Sequence, residues 1–491
     1  MVVYQLSREF YPFANAGGLK EVVTGIGESL YLTGHSSSVF IPCYGFIDKS
    51  KYDEPDEFSI SPGGIDTSIR VYKTEYNGIR VYLLEFSYLL DKNDVYTYTH
   101  LDEKNNPLFK RGHGFIDNPE INIIFQYAFL KYVELFLIKP DIILLHDGHT
   151  GLVPVMVKSN PILRKLFKYT KIFFIIHNAG IVYHQRFLSK ILYKYRVVSK
   201  KLIAKGCFNG EIDPIFIAAL YSNPLTVSPY YAEEILNLVH EDTSGNFGQF
   251  CNENSIKIYG ITNGVDIKHF KKIGIEGLPN DYEKNMFKIS VSESIGRIRN
   301  VKVWGNINFD KDTPLFLFQN RVTEQKGIDK FIDAYKSVEK KNIKAQFIVM
   351  GQGETKYENK LIELAEKYPK NFCYIQGYDE KSALSLFIAS DYFILTSLWE
   401  PCGLTDFEAQ LAGSIPIVHK TGGLKKVING ETGFVFEDFK DLEETIYKCV
   451  DMFYDDKETI TLMQNRSYKN IEENYTWKMV LQNRYLPLFF K

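Results

Sequence analysis

Ser397 to Leu424 reads SLWEPCGLTDFEAQLAGSIPIVHKTGGL, and its alternation of strand and helix decides the fold of the chain. The apolar run Tyr392 to Leu395 just before it has the character of a buried parallel strand, and Pro401 falls where proline is favoured, in the first turn of the helix that follows. Glu400 is therefore expected at a helix start. A second strand, Ile415 to His419, runs into Thr421-Gly422-Gly423, where bare backbone at another helix N-terminus offers N–H groups to an anion. Taken singly, an acid at a helix start complements the helix dipole, and Thr-Gly-Gly is an ordinary turn. At consecutive strand ends they reinforce each other, because open parallel sheets gather ligands beyond the carboxyl ends of their strands. The expectation is an anion seat beside a carboxylate.

Glu400-Pro401-Cys402-Gly403-Leu404-Thr405 followed by Thr421-Gly422-Gly423-Leu424 resembles glycosyltransferase family 5, the bacterial glycogen synthases and plant starch synthases. Further matching stretches run from Asn15 to Trp477, so the resemblance covers essentially the whole chain. In the first half, Val2 to Ser7 reads as a strand, Asn15-Ala16-Gly17-Gly18-Leu19 as a glycine turn and Lys20 to Tyr31 as a helix. The turn is similar to the family's K-x-G-G-L, with Asn15 where the family carries lysine; Lys20, on the ensuing helix, is a candidate substitute for that charge. His146-Asp147-Gly148-His149-Thr150 is similar to H-D-W-H-x, with Gly148 where tryptophan would offer a stacking face. His177-Asn178 ends the strand Lys171 to Ile176 as in the family's I-H-N. Leu225 to Pro229 and Gly260 to Asp266, the latter carrying Asn263, are similar to two further family motifs. Residues 48 to 114 are turn-rich and read as hairpins around the sheet.

Strands then recur at Leu315 to Gln319, Phe347 to Met350, Phe372 to Ile375, Tyr392 to Leu395 and Ile415 to Val418, with helical stretches between them, the pattern of a second doubly wound α/β domain. Asn320 to Gly327, with Arg321 and Lys326, resembles the family's R-L-x-x-Q-K-G, and Gly377-Tyr378-Asp379-Glu380 its G-Y-x-E. Lys268 to Asp312 reads as a connector with a helix near Ser290 to Val301. The fold class expected is thus α/β, with two doubly wound Rossmann-like domains facing across a cleft, which the resemblance names the GT-B fold. The boundaries expected are 1–268 for an acceptor-side domain, 269–475 for a nucleotide-sugar-binding domain, and 476–491 for a terminal helix crossing back to the first.

Length and composition set the bounds around this reading. The chain has 491 residues, too many for one ordinary core. Its 58 Lys and Arg against 60 Asp and Glu, a formal charge of −2, give no global attraction to nucleic acid or to an anionic membrane. Ile121 to Leu145, the most apolar tract, is broken by Lys131, Glu134, Lys139 and Pro140 and is no membrane span. Six cysteines without a C-x-x-C pair argue against a zinc ribbon or a disulfide framework, and Met1 to Leu6 lacks the form of a secretion signal. A cytoplasmic protein is expected. The His146 to His149 cluster lacks the companions of a metal site, and Asp310-Lys311-Asp312 precedes a strand and reads as a turn.

What the resemblance implies is retaining transfer of glucose from ADP-glucose, or UDP-glucose, to the non-reducing end of an α-1,4-glucan without metal or other cofactor. His177, Arg321, Lys326 and Glu400 would be catalytic. Asn15, Gly17, Gly18, Tyr378, Thr405, Thr421, Gly422 and Gly423 would bind the donor, with Tyr378 stacking on the base, and Asp147, His149 and Asn263 would lie on the acceptor side. Two alternatives stay open: a retaining transferase of the same fold with another donor or acceptor, and a binding protein without catalysis. The sequence does not specify an oligomeric state.

Overall fold

The computed structural model describes residues 1–239, 241–297, 301–305 and 310–490. It divides into two compact units, Met1–Gly264 with Val480–Lys491, and Val265–Met479.

The first unit is built on a nine-stranded sheet in the order Tyr259–Gly260, Asn223–Thr226, Lys171–Ile176, Ile142–His146, Val2–Leu6, Ser36–Pro42, Ile79–Glu85, Thr67–Tyr76 and Asp56–Ile60. The strands from Tyr259–Gly260 through Ile79–Glu85 are parallel, and the last two extend the sheet as antiparallel hairpin strands. The central strands are near-continuous apolar runs because helices cover both faces. Val2–Leu6 pairs on one side with Ser36–Pro42 and on the other with Ile142–His146, so the winding reverses there. Such a reversal leaves a crevice beyond the strand ends. Leu6, His146 and Ile176 deliver their following loops to that edge. The chain end returns to this unit, where Phe489 lies against Phe173 with ring centroids 5.3 Å apart and its carbonyl accepts from Lys171 Nζ at 2.9 Å.

The second unit holds a seven-stranded sheet in the order Lys302–Gly305, Phe372–Gln376, Gln346–Gly351, Leu315–Gln319, Tyr392–Leu395, Ile415–His419 and Phe434–Phe436. All are parallel except the edge strand Lys302–Gly305. Winding reverses between Leu315–Gln319 and Tyr392–Leu395. Side chains alternate between two buried faces: Phe316 and Phe318 join Phe347 and Tyr392, while Leu315 and Leu317 join Ile348 and Phe393. Phe316 is stacked between Phe347 and Tyr392, 4.9 Å from each.

Two local expectations are corrected. Helix does not begin at Pro401: it spans Thr405–Leu411, and Glu400 lies in the preceding loop. Gly403 has φ +73°, a left-handed conformation that cannot continue a right-handed helix, so the chain turns once more before winding. The connector helix spans Asp281–Ser294 rather than 290–301, and positions 298–300 of that expectation lie outside the described residues. Asp310 accepts from the Asp312 N–H and the Thr313 hydroxyl, the turn expected there. No helix among the described residues is long and apolar enough to cross a membrane.

Phe316→Ala removes the middle ring of the stack and is expected to destabilise the second unit by about 3–5 kcal/mol. Urea unfolding followed by a probe in that unit checks this.

Candidate active site

The reversal in the second unit brings together the loops after Gln319 and after Leu395. The first, Asn320 to Gly327, is stitched to the second by main-chain and side-chain bonds. Leu398 N–H donates to the Gln325 carbonyl at 2.9 Å, and the Thr396 hydroxyl donates to the carbonyls of Lys326 and Gly327 at 3.0 and 2.8 Å. Gly327, with φ +63°, is required here: a Cβ would stand 1.9 Å from the Thr396 carbonyl oxygen. The result is a buried ion pair, Lys326 Nζ to Glu400 Oε2 at 2.6 Å, with the Ser397 hydroxyl donating to the same oxygen at 3.1 Å. Glu400 is only 8% exposed. Burial works to raise its pKa, but Lys326, Ser397 and the nearby Lys426 charge outweigh it and hold the carboxyl below its usual range. Arg321, in the same loop, is exposed and donates through Nη2 to Gln325 Oε1 at 3.1 Å.

The Thr421-Gly422-Gly423 turn lies beside this pair but is not a set of idle amides. Gly423 N–H donates to the Glu400 carbonyl at 2.8 Å, and Thr421 N–H to the His419 carbonyl at 2.8 Å. A Cβ on Gly423 would stand 2.1 Å from the Cys402 carbonyl oxygen. The glycine therefore serves first to let the Glu400 loop lie against the turn, and the expected ligand seat is corrected to that extent. Gly422, at φ +42°, opens the 3₁₀ turn Gly422–Lys426. Lys426, buried at the end of that turn, donates to the carbonyls of Cys402 and Gly403 at 2.6 and 2.7 Å and pairs with Asp406 at 2.7 Å. Thr405 is the first residue of the ensuing helix. Tyr378 lies on the loop after Phe372–Gln376 and is 61% exposed.

In the first unit the reversal collects the loops after Leu6, His146 and Ile176. The glycine turn is occupied from within: Glu9 Oε2 accepts from Ala16 N–H at 3.0 Å and Gly17 N–H at 2.6 Å, while Tyr96 OH donates to Glu9 Oε1 at 2.8 Å. Gly17 is thus committed to a side-chain carboxylate, a correction to its expected role; Gly18 ends the turn as the cap of the helix Leu19–Leu32. Asn15 donates to the Pro12 carbonyl at 3.2 Å and brings no charge, and Lys20 forms no ion pair among the described residues.

Asp147 takes the left-handed region, φ +59°, and its Oδ1 accepts from His177 N–H at 2.8 Å, joining two strand ends. His149 stacks on Tyr96, centroids 5.0 Å apart, and contacts Asn122, which accepts from Arg8 at 2.6 Å. Gly148 has a steric explanation. A Cβ there would stand 2.7 and 2.8 Å from the carbonyl oxygens of His184 and Tyr183, so the space a larger side chain would fill is taken by main chain. Asn263 is buried, and its Oδ1 has no hydrogen-bond partner among the described residues. Burial pushes Asp147 up to about 7, with Glu9 adding to the shift, and pushes His177 down to about 3. Among the described residues no three His, Cys, Asp or Glu side chains are grouped so as to hold a metal ion.

Sequence reasoning missed Arg8, Glu9, Tyr96 and Lys426 as parts of these clusters, and quoted His146 and Ser397 within motifs without giving either a role. Arg8-Glu9 had a legible signal, a charged doublet directly beyond an apolar strand. Tyr96 had none, because it reaches the site from the hairpin-rich region.

Two reversed parallel sheets, each carrying polar loops at its reversal, are the architecture of the GT-B class of glycosyltransferases. Residues 2–246 match the starch synthase catalytic domain and residues 305–470 the glycosyl transferases group 1 domain. The chain is 28% identical to the glycogen synthase of Clostridium kluyveri over 97% of both chains, and 27% identical to that of Thermodesulfovibrio yellowstonii over 99% of this chain and 96% of the other. The catalytic domain of Arabidopsis thaliana starch synthase IV, solved with ADP and acarbose, superposes with a TM-score of 0.80 at 23% identity, covering 100% of this chain and 98% of that one. The chain belongs to the glycogen and starch synthase family, glycosyltransferase family 5.

Two expected outcomes follow from the geometry. Glu400→Gln strands the Lys326 ammonium in a buried site and costs about 3–5 kcal/mol, whereas combining it with Lys326→Met recovers most of that loss; the urea midpoint of the second unit reports both. In the first unit, Asp147 keeps a proton that the unfolded chain releases from about pH 4 upward, so it lowers stability as pH rises toward about 7. His177, neutral when folded, does the opposite between about 3 and its unfolded value. Asp147→Asn removes the first slope alone, so stability of this unit should rise more steeply from pH 4 to 6.5 in the variant than in the wild type, measured by denaturant titration at several pH values.

Proposed function

We propose that the chain is an α-1,4-glucan synthase that transfers glucose, with retention at the anomeric carbon, from a nucleoside-diphosphate glucose to the non-reducing end of a glucan. The observation that carries this reading is the buried Lys326–Glu400 pair at the sheet reversal of the second unit, with the exposed guanidinium of Arg321 in the same loop. In this reading the bond from the anomeric carbon to the diphosphate oxygen breaks, the bond to the acceptor's 4-oxygen forms, and the acceptor's proton passes to the departing diphosphate. Charge grows on the diphosphate, and Arg321 and Lys326 offset it, the kind of preorganised electrostatics that carries much of many rate enhancements. Glu400 accepts from hydroxyls of the transferred sugar. Tyr378 stacks on the base, and Thr405, Thr421, Gly422 and Gly18 complete the donor site. His177 orients the sugar, while Asp147, His149 and Asn263 serve the acceptor side.

ADP-glucose is the donor proposed, supported by the ADP in the Arabidopsis starch synthase. The protein cations are taken to supply the positive charge without a metal or other cofactor. The free cysteines support a reducing, cytoplasmic setting. A second reading, a transferase of the same class with a different donor or acceptor, is favoured by Asn15, which brings no charge to the glycine turn, and by the filled space at Gly148.

Incubation with radiolabelled ADP-glucose or UDP-glucose and glycogen distinguishes them. Label in polymer supports the synthase and its intensity ranks the donors; label in another product supports the second reading, and binding without transfer refutes both. Arg321→Ala is expected to lower kcat by at least about a hundredfold in that assay.

A further inference from the structure

Beneath the His177 loop three side chains form a hydrogen-bonded line whose proton positions are set by its far end. Gln5 Nε2 donates to the Val23 carbonyl at 3.0 Å. A carbonyl only accepts, so the amide nitrogen is fixed there and the amide oxygen faces His146, 3.2 Å from its Nε2. The amide oxygen also only accepts, which puts a hydrogen on His146 Nε2. His146 is fully buried, and burial, followed by the neighbouring His177, holds its pKa well below the ordinary value. The ring is therefore neutral, and Nδ1 is a bare lone pair. That lone pair lies 3.0 Å from His177 Nε2, which must be the donor. His177, which burial holds neutral, makes no hydrogen bond through its Nδ1 among the described residues, and the residue as a whole keeps some exposure.

We propose that Gln5 and His146 are positioning residues that lock His177 in the Nε2–H tautomer and so present its Nδ1 lone pair to a hydroxyl of the transferred sugar. Which nitrogen of a histidine carries the proton is set by what the other one bonds, and here the chain of bonds leaves one choice. A hydroxyl meeting this lone pair must donate to it, which keeps the hydroxyl oxygen's own lone pairs for other donors and fixes the rotamer of the group. The assignment of the sugar rests on the glucosyl-transfer reading; the tautomer does not.

The test uses the full chain carrying ¹⁵N-ring-labelled histidine, without substrate. Nitrogen-detected shifts and one-bond N–H couplings report the tautomer of His177, its resonances identified by their loss in His177→Gln. The expected wild-type spectrum has a protonated Nε2 and a bare Nδ1. Gln5→Met keeps the volume and removes the anchor: His177 Nδ1 should become partly protonated, with kcat down about tenfold and the donor KM within about twofold. A wild-type His177 protonated at Nδ1 overturns the proposal, and if Gln5→Met fails to fold that spectrum decides alone. An unchanged His177 tautomer in folded Gln5→Met also overturns it, whatever the rate, because a purely structural Gln5 would lower activity without moving the proton. Absence of transfer by the wild type from every donor would sink the glucosyl-transfer reading and with it the sugar contact, while the spectrum still reports on the relay.

Discussion

The ion pair between Lys326 and Glu400 holds the second unit's site in place, and most of what surrounds it is there to make it tolerable. Two charges taken out of water cost several kcal/mol each unless their remaining donors and acceptors are met. Ser397 donates to the same carboxylate oxygen, and the Glu400 main-chain carbonyl accepts from Gly423. The Thr396 hydroxyl binds the carbonyls of Lys326 and Gly327, so the lysine's own backbone is clamped. Lys426 gathers the carbonyls of Cys402 and Gly403, which carry the loop away from the glutamate. Gly327 and Gly423 are glycine because carbonyl oxygens from the opposing loop come within 1.9 and 2.1 Å of where a Cβ would be. The loops on either side of the sheet reversal thus form one rigid piece.

The first unit solves the same topological problem with different chemistry. Its reversal also gathers loops from neighbouring parallel strands, but there a carboxylate fills the glycine turn, and the buried guanidinium of Arg8 is met by Tyr44, Asn118, Asn122 and the Val95 carbonyl, with no carboxylate at ion-pair distance among the described residues. Around them the histidines are held neutral and Asp147 is pushed toward its protonated form. One site is built from a compensated pair of full charges, the other largely from neutral donors and acceptors whose proton positions are set by geometry.

The parallel strands were legible because buried strands in an α/β sheet leave apolar runs bounded by turn residues; Lys171–Ile176, Leu315–Gln319, Tyr392–Leu395 and Ile415–His419 fall where the sequence places them. The start of the helix after Glu400 was not, since Pro401 is as compatible with an extended loop as with a first helical turn, and only the left-handed Gly403 separates the two. Lys326 and Glu400 could be singled out by motif, but their contact spans 74 positions of sequence and depends on which strands become neighbours. Gly17 and Gly423 show the limit of reading glycine as a ligand seat. Both turns were legible, yet their amides were spoken for by Glu9 and by the Glu400 carbonyl, partners that only tertiary structure names.

That occupation bears on how a phosphate could be held. A carboxylate and a phosphate ask the same thing of a glycine turn, N–H groups converging on an oxygen. With Glu9 seated on Ala16 and Gly17, the first unit already satisfies its turn with an anion of its own, and an incoming phosphate close to that carboxylate would meet like charge. A lysine at the turn would offset the repulsion, and Asn15 does not. In the second unit Arg321 is exposed, and the Lys326 charge is partly neutralised by Glu400. A diphosphate near Lys326 would share that ammonium with Glu400, whereas the guanidinium of Arg321 has no carboxylate partner among the described residues and would meet the added charge undivided.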